Sequence, residues 1–336
     1  YQALADARYF GVFVINGNNP SYDVNYIYQG NPSISGSSDN LRFLKRIDNT
    51  ILSWANSGAI NDVVLRSFSN FCKEYVRGEY IVGIRPNSSN RKNGPGNAVS
   101  ITGSNQGIEI PVYLNGDFSV TLWMKGNGNF LRLDNLTNGS SYIVAETNYF
   151  LDPAKMAITG TLKAGGWYPM PDGLAANWNL DPGCPGGDCP NVNPNEWQHV
   201  ALVYNRSANT INSYINGVPH STGTVNNFVI DEIYNRLRVG LSFTGQIDEL
   251  SVFNTQLTQT EIRTWMCQKM NRNHPKYCSN LQAYFNFDQD GSQKQFENLA
   301  PNGLGDAMVI TGNVNMVRSG ARMGDVSVFN YGPPTS

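Results

Sequence analysis

The sequence predicts an all-β protein made of two β-sandwich modules in series, with one short helix. Many short runs alternate apolar and polar residues, as strands with one buried face do. The 336 residues include 33 glycines and 17 prolines, which is typical of a chain with many turns, and the length is enough for two sandwich domains. Only 15% of the residues are charged, which is too few for a disordered chain.

The first module is predicted at residues 1–85 and is a β-sandwich of the immunoglobulin-like type. Its strand-like runs lie at residues 8–15, 22–28, 41–46, 67–71 and 79–83. An immunoglobulin-like sandwich needs about seven strands. Because about five are recognisable here, we expect this module to leave sheet edges open to another strand.

Residues 86–96 are dense in Pro, Asn, Ser and Gly and have no apolar periodicity, so they predict a linker. The second module follows at residues 97–318. Residues 319–336 are predicted to be a strand and linker that leads to a next module or a neighbouring chain. Within them, residues 325–331 are typical of a strand, which we expect to pair into a sandwich of the N-terminal type.

Strands of the second module show the pattern of a sandwich core. Residues 118–124 and 197–204 are apolar on both faces, whereas residues 237–243 alternate and predict a half-exposed strand. Asn216 and Gly217 are the residue pair that tolerates positive φ in a type I′ hairpin.

One helix is predicted after these strands. Thr258 and Glu261 have the spacing of a capping box, and Ile262, Trp265 and Met266 follow at helical spacing. We therefore expect a short amphipathic helix that closes the second module.

Four separated blocks of the second module occur in the order of a known family. They are Phe118–Met124, Asn195–Tyr204, Tyr214–Gly217 and Gly245–Phe253. Residues 96–270 thereby resemble a laminin-G-like domain. The resemblance implies a concanavalin-A-like jelly roll from extracellular binding proteins, a fold that hosts lectins, adhesion modules and glycanases alike.

The N-terminal module has a second resemblance. It carries Tyr-Phe-Gly-Val-Phe-Val at residues 9–14, Arg-Ile-Asp-Asn at residues 46–49, Ser-Phe-Ser at residues 67–69 and Val-Gly at residues 82–83. This order resembles β-sandwich modules repeated in very large surface proteins of gliding and biofilm-forming Bacteroidota. It implies export by the type IX secretion route and display at the cell surface.

The composition excludes two classes of partner. The net charge is −2 without a basic run, so no nucleic-acid partner is expected. No apolar run reaches about 18 residues, so no membrane span is expected. The expected partners are a carbohydrate or a cell or abiotic surface, and copies of the protein itself in a tandem array or fibre.

The five cysteines predict two disulfides and an oxidising compartment outside the cytoplasm. Cys184 and Cys189 are close in sequence, as are Cys267 and Cys278, so each pair would close a short loop. Cys72 is left over. A metal site at the first pair lacks a second cysteine pair or a nearby histidine.

The search for catalytic residues predicts no enzyme. Glycanases on this fold need two carboxylates that face each other across a cleft. Asp248 and Glu249 are adjacent on a predicted strand, as are Asp231 and Glu232, and adjacent side chains point to opposite faces. His199 lies within an apolar strand, where a packed structural histidine is favoured over a base.

Calcium is the one cofactor that the resemblance implies, with Asp248 at the acidic position that such sites commonly use. The opening strand departs from the family pattern because one expected carboxylate is missing. Two alternatives stay open for Asp248, which are capping a turn and pairing with an arginine such as Arg238. Asp288 and Asp290 surround a glutamine before a glycine, and a plain turn is favoured there over a calcium loop.

A long insertion at residues 164–195 is the predicted ligand-binding region. It is rich in Gly, Pro and Asn, and loops of this length are usually functional or disordered. Trp167, Tyr168 and Trp178 could stack on sugar rings, with Asp172 available for hydroxyl groups. The alternative is that the two tryptophans pack the insertion onto the sandwich.

Three functions are weighed from these observations. The leading one is a non-catalytic extracellular adhesion segment of a large bacterial surface protein, with jelly-roll loops that contact glycans or surfaces. The second is a structural repeat of a self-assembling extracellular filament. The third is a glycan hydrolase whose acids come from loops.

Overall fold

The computed structural model describes residues 2–3, 9–13, 21–34, 41–47, 50, 54–57, 59–62, 64–69, 72, 77–84, 95–103, 106–137, 142–147, 157–161, 192–208, 210–224 and 233–323. Strands dominate these residues, as the sequence predicts. The predicted domain boundaries stay a prediction, because residues 85–94 lie outside the described part of the chain. No helix among the described residues is long and apolar enough to cross a membrane.

Eight short strands are described before residue 85. They are β1 (Gln2–Ala3), β2 (Tyr9–Val12), β3 (Asn25–Ile27), β4 (Leu41–Arg46), β5 (Ala55–Asn56), β6 (Ile60–Asp62), β7 (Ser67–Ser69) and β8 (Gly78–Ile84). One sheet has the order β1-β8-β4-β5 with β2 also on β8, and the other has the order β3-β7-β6. The predicted runs contain β2, β3, β4, β7 and β8. The other three strands, β1, β5 and β6, have two or three residues each and lie outside the alternating runs.

An aromatic cluster fills the N-terminal sandwich. The rings of Phe43 and Tyr80 stack with centroids 5.4 Å apart, and Phe68 stacks on Phe43 at 5.5 Å. Phe10 of β2 also packs against the rings of Phe43 and Tyr80. Such pairs contribute about 0.5–1.5 kcal/mol each beyond the area that they bury.

The strands after residue 95 form the larger part of the fold. They are β9 (Asn97–Ile101), β10 (Ile108–Leu114), β11 (Phe118–Asp134), β12 (Tyr142–Glu146), β13 (Ala157–Thr161), β14 (Gln198–Asn205), β15 (Thr210–Ile215), β16 (Val218–Thr224), β17 (Tyr234–Phe253), β18 (Leu281–Phe285), β19 (Ser292–Gln293), β20 (Gln295–Phe296), β21 (Ala307–Val309) and β22 (Val314–Arg318). Helices α1 (Gln259–Trp265) and α2 (Tyr277–Asn280) lie between β17 and β18. The second helix is a single turn that the sequence does not predict.

Two long strands, β11 and β17, are shared by both layers of the sandwich. The first half of β11 pairs with β14, and its last residues pair with β12. β17 follows β11 along nearly its whole length. We call the layer of β16, β15, β14, β11 and the end of β17 the first sheet, and the layer of β13, β12, β11, the start of β17, β10, β21 and β20 the second sheet.

Paired glycines allow the two long strands to pass from one layer to the other. Gly126 lies opposite Gly245, and their φ angles are +148° and +157°. A Cβ on Gly126 would come within 2.4 Å of the Thr244 carbonyl oxygen, which no side chain tolerates. The crossing therefore requires glycine.

The main core lies between the two sheets. Val120, Leu122 and Met124 of β11 point into it together with Val200 and other apolar side chains. The two runs predicted to be sandwich-core strands are confirmed as parts of β11 and β14.

Both predicted turn and cap motifs are confirmed. Asn216 and Gly217 have φ angles of +51° and +73° between β15 and β16. The Thr258 hydroxyl accepts a hydrogen bond from the Glu261 amide at 3.2 Å, and the Glu261 carboxylate accepts one from the Thr258 amide at 2.7 Å.

Helix α1 and the following loop cover the outer face of the first sheet. The indole Nε1 of Trp123 donates a hydrogen bond to the Met266 carbonyl at 2.5 Å. Phe253, Ile262 and Tyr284 belong to a second apolar cluster in this layer.

The structure corrects one predicted disulfide. Cys278 pairs with Cys72, with Cα atoms 5.1 Å apart and a sequence separation of 206, and does not pair with Cys267. Cys267 is buried instead beside Trp123 and Met266. Short spacing could not reveal this pairing, because the fold brings Cys72 to Cys278 from the N-terminal segment. The predicted bond between Cys184 and Cys189 lies outside the described residues.

An ion pair joins the same two segments of the chain. Arg42 of β4 donates to both carboxylate oxygens of Glu297, at 2.8 and 3.1 Å. The Glu297 side chain is fully buried and that of Arg42 is 14% exposed. A forked, buried pair of this kind fixes orientation as well as position.

Candidate functional site

The predicted ligand-binding residues of the insertion stay a prediction. Trp167, Tyr168, Asp172 and Trp178 lie outside the described residues. The insertion leaves the described chain after β13, the strand that pairs with β12 in the second sheet, and rejoins it at Val192 before β14.

Asp248 and Glu249 lie at a β-bulge in β17. Ile247 and Leu250 both belong to the main core, so the two residues between them both leave it. The register with β11 shifts at this point, and Glu249 has a φ angle of +49°. A bulge opposes two residues to one, which breaks the alternation of side chains. The prediction that the two carboxylates point to opposite faces is therefore wrong.

The two carboxylates are buried and share polar neighbours. An oxygen of Asp248 accepts the Glu249 amide at 2.8 Å, and Glu249 accepts the Tyr284 hydroxyl at 2.6 Å. Burial, followed by the Glu249 charge, raises the pKa of Asp248 well above its usual range. Burial raises the pKa of Glu249 to about 7, although the Lys269 ammonium favours its charged form.

The residues described around Asp248 do not by themselves complete a calcium site. Lys269 places its ammonium 2.5 Å from Asp288 and 3.4 Å from Glu249, so a cation of the protein already sits among the acids. No group of three or more His, Cys, Asp or Glu suited to a metal occurs among the described residues. Because Ca²⁺ takes six to eight oxygen ligands, further ligands would have to come from the rest of the chain. Calcium at Asp248 stays a prediction.

The other interpretations of the acidic residues can be compared with the structure. Asp248 does cap the bulge through its bond to the next amide. The pairing of Asp248 with Arg238 is wrong, because Arg238 binds Asp134. Asp290 accepts an amide hydrogen of Asn97 at 2.9 Å, which supports a plain turn.

A small cavity lies beside Glu249, between the first sheet and α1. The cavity is also lined by Trp123, His199, Trp265 and His274. The volume of this cavity in which the centre of a water molecule can lie is about 20 Å³. Such a volume admits a water molecule and no sugar ring. Burial lowers the pKa of His199 to about 3 and that of His274 to about 4, so both are neutral near pH 7. The predicted packed role of His199 is confirmed by its ring contact with Trp123 at 5.6 Å.

The outer face of the second sheet is polar and partly exposed. Alternate residues of its strands, such as Ile110 of β10, Leu133 of β11 and Leu237 of β17, point into the main core. The residues between them point outward. We call these outward residues the arginine face, which consists of Glu109, Pro111, Tyr113, Arg132, Asp134, Arg236 and Arg238.

Asp134 is the centre of the arginine face. Arg238 donates to both of its oxygens, at 2.8 and 2.9 Å, and Arg132 donates to one at 2.7 Å. Arg236 lies farther away, 3.4 Å from Asp134 and 3.4 Å from Glu109. The side chain of Asp134 is 7% exposed, whereas the arginines are 19–33% exposed.

Apolar and aromatic groups border these charges. Tyr113 is 49% exposed at the end of β10, and Met308 of β21 is 49% exposed beside Glu109. An aromatic face next to fixed donors and acceptors has the composition of a sugar-binding surface.

Sequence reasoning missed the arginine face. The alternation at residues 237–243 does predict that Arg238 is exposed. Arg238 and Arg132 meet at Asp134 because β17 pairs with β11, with Arg132 opposite Arg238. These strands are about 100 residues apart in sequence. The available signal was the matching Arg-Leu-Asp at residues 132–134 and Arg-Leu-Arg at residues 236–238.

About half of the chain matches a known protein family. The family model described as "Concanavalin A-like lectin/glucanases superfamily" matches residues 93–263, half of the chain. A search of curated proteins finds no match.

Several solved structures are similar at low identity. A putative carbohydrate binding protein from Bacteroides ovatus is 10% identical over 95% of this chain and 95% of that one, with a TM-score of 0.44. The heptameric SAP-like pentraxin from Limulus polyphemus is 14% identical over 51% of this chain and 81% of that one, with a TM-score of 0.36. Domain 4 of a GH43 extracellular arabinanase from Geobacillus stearothermophilus, in complex with arabinotriose, is 19% identical over 48% of this chain and 73% of that one, with a TM-score of 0.34.

The fold and the family match lead to the same assignment. The strands form a jelly roll whose two long strands are shared by both layers, and the family model covers half of the chain. The chain belongs to the laminin-G-like family of the concanavalin A-like lectin/glucanase superfamily.

Proposed function

We propose that the chain is a non-catalytic, extracellular carbohydrate-binding protein, and that the arginine face contacts the glycan. One observation carries the proposal. This exposed sheet face combines guanidinium and carboxylate groups with the half-exposed ring of Tyr113. A sugar offers hydroxyl groups that need donors and acceptors, and C–H faces that pack on aromatic rings.

The arginine face is built for rigid binding. Its side chains stand on paired strands, and Asp134 fixes two guanidinium groups at 2.7–2.9 Å. A site held in its binding geometry loses little side-chain entropy when a ligand arrives. The insertion residues Trp167 and Trp178 are a second proposed contact region.

The position of the acidic pair supports a non-catalytic function. A glycosidase needs its two carboxyl groups beside the scissile bond. Asp248 is fully buried and Glu249 is 6% exposed. Helix α1 and the following loop lie beside Glu249, which Lys269 of that loop contacts at 3.4 Å. The adjoining cavity has no room for a sugar.

The disulfide between Cys72 and Cys278 supports an oxidising, extracellular location. Display on a bacterial surface through type IX secretion, and a role in adhesion, rest on the resemblance of the N-terminal module. The alternative of a self-assembling filament depends on residues 325–331, which lie outside the described residues.

A glycan array probed with the whole chain tests the proposal. Tyr113→Ala should weaken binding to the strongest ligand by roughly fivefold, because a stacked aromatic ring contributes on the order of 1 kcal/mol. Phe13→Ala is the matched control, since Phe13 is an exposed aromatic residue in the N-terminal module. Absence of binding to any glycan, or equal losses in both variants, would contradict the proposal.

A further inference from the structure

We propose that the bound glycan carries carboxylate groups, as uronic-acid polysaccharides do, and that Arg236 binds them. This inference rests on the proposed function and adds the chemical class of the ligand.

The charges of the arginine face favour an anionic ligand. Three guanidinium groups converge on the single carboxylate of Asp134, and one of them, that of Arg236, also contacts Glu109. Arg132 and Arg238 also lie directly opposite each other across β11 and β17. Like charges in this position destabilise a sheet. Asp134 offsets that cost in part, and a ligand carboxylate would offset it further.

Arg236 is the arginine best placed to accept the ligand. Arg238 makes two contacts of 2.8 and 2.9 Å with Asp134, whereas the two contacts of Arg236 are both 3.4 Å long. A guanidinium has five N–H donors, and its forked bonds to a carboxylate are typically 2.7–2.9 Å long. Among the described residues, Arg236 therefore makes the weaker ion pairs, and its side chain is 24% exposed.

Tyr113 lies at a suitable position for the sugar ring. Pro111 is opposite Arg236 in the pairing of β10 with β17. The register shifts after Pro111, but Val112 and Leu114 are both in the core, so Tyr113 between them points outward as Pro111 does. Two residues of a strand span about 7 Å. A uronic acid bound to Arg236 by its carboxylate would thus place its own ring or the next one beside Tyr113.

Matched polysaccharides test the class of ligand. Affinity electrophoresis would compare polygalacturonate, alginate and hyaluronan with the carboxyl-reduced, neutral form of each, using the whole chain. At least one acidic polymer should bind roughly tenfold more tightly than its reduced form, as a charge-assisted bond predicts. Arg236→Gln should remove that difference, and Arg236→Lys should restore it only in part because lysine lacks the fork. Arg318→Gln, an exposed arginine on β22, is the control that should change nothing.

The outcomes separate this inference from the proposed function. Equal binding of an acidic polymer and its reduced form would overturn the carboxylate inference and leave carbohydrate binding in place. Equal binding of dextran sulfate would also overturn it, since any polyanion would then suffice. An unchanged preference in Arg236→Gln would overturn the role of Arg236. Absence of binding to these polymers and to every array glycan would overturn both proposals.

Discussion

Glu249 shows how one residue changes the chemistry of a strand. Its φ angle of +49° forms the bulge that turns its carboxylate to the same side as that of Asp248. Burial then raises the pKa of both groups. Lys269 provides the compensating charge from the covering loop. The carboxylate pair therefore holds the covering loop on the sheet. In an open cleft, the same two carboxylates would have been candidates for catalysis.

The calcium hypothesis for Asp248 gives a prediction at this scale. If Ca²⁺ binds through Asp248, a chelator should lower the melting temperature of the wild type, because a ligand of the folded state stabilises it by mass action. Asp248→Asn should melt at the same temperature with and without chelator. Thermal melts with EDTA or added Ca²⁺ provide the measurement. A wild type that is insensitive to both removes calcium from the account.

His199 predicts a specific loss of stability in acid. Its pKa is about 3 in the folded protein, against about 6.5 for an unfolded chain, so the folded state excludes a proton that the unfolded state binds. The stability gained by keeping His199 neutral is complete above about pH 6.5 and is lost as the pH falls towards 3. The loss at pH 5 is on the order of 2 kcal/mol.

His199→Leu removes this titration without leaving a buried polar group. The difference in melting temperature, wild type minus variant, should decrease as the pH is lowered from 7 to 5. Nearby groups such as Glu249 titrate in both proteins and cancel in the difference. Parallel curves over this range would show that His199 is not held neutral.

At the scale of elements, the sandwich depends on the point where β11 and β17 pass together from one layer to the other. Gly126→Ala should destabilise the protein by more than about 3 kcal/mol, since the new Cβ meets backbone at 2.4 Å. Gly116→Ala is the matched control, because Gly116 also has a positive φ of +132° but nothing lies within 4 Å of its Cβ. Urea unfolding of both variants measures the difference. Similar losses would mean that backbone strain alone matters and that the close approach does not.

Elements with a local cause could be predicted from the sequence. The core strands show unbroken apolar runs, the turn at Asn216 has its Asn-Gly pair, and α1 has its capping box. The bulge at Glu249, the arginine face and the partner of Cys278 all depend on contacts between distant strands. Local patterns can place the separate residues on strands, as the two Arg-Leu segments at residues 132–134 and 236–238 do, but they do not show which strands pair. The aromatic residues of the insertion were a compositional prediction, which remains open.

At the scale of the whole molecule, the N-terminal segment is fixed to the jelly roll. The disulfide of Cys72 with Cys278 and the buried pair of Arg42 with Glu297 both cross between them. Cys72 also packs in the apolar cluster that contains Phe253. These contacts join the described parts of the N-terminal segment and the jelly roll into one assembled unit.

The disulfide gives a prediction about this unit. Peptide mapping without reduction should recover Cys72 linked to Cys278. Cys72→Ser should lower stability by up to about 5 kcal/mol, because the bond closes a very long loop in the unfolded chain. Linkage of Cys267 to Cys278, or an unchanged melting temperature, would contradict the structure at this point.

The central claim is that a glycan binds the arginine face. Hydrogen–deuterium exchange of the whole chain, with and without its strongest array glycan, tests this most directly. Bound glycan should slow exchange in peptides that cover β10 and the first part of β17, around Tyr113 and Arg236, because opening of these strands becomes linked to ligand release. Protection confined to residues 162–191 would instead place the site in the insertion and contradict the claim.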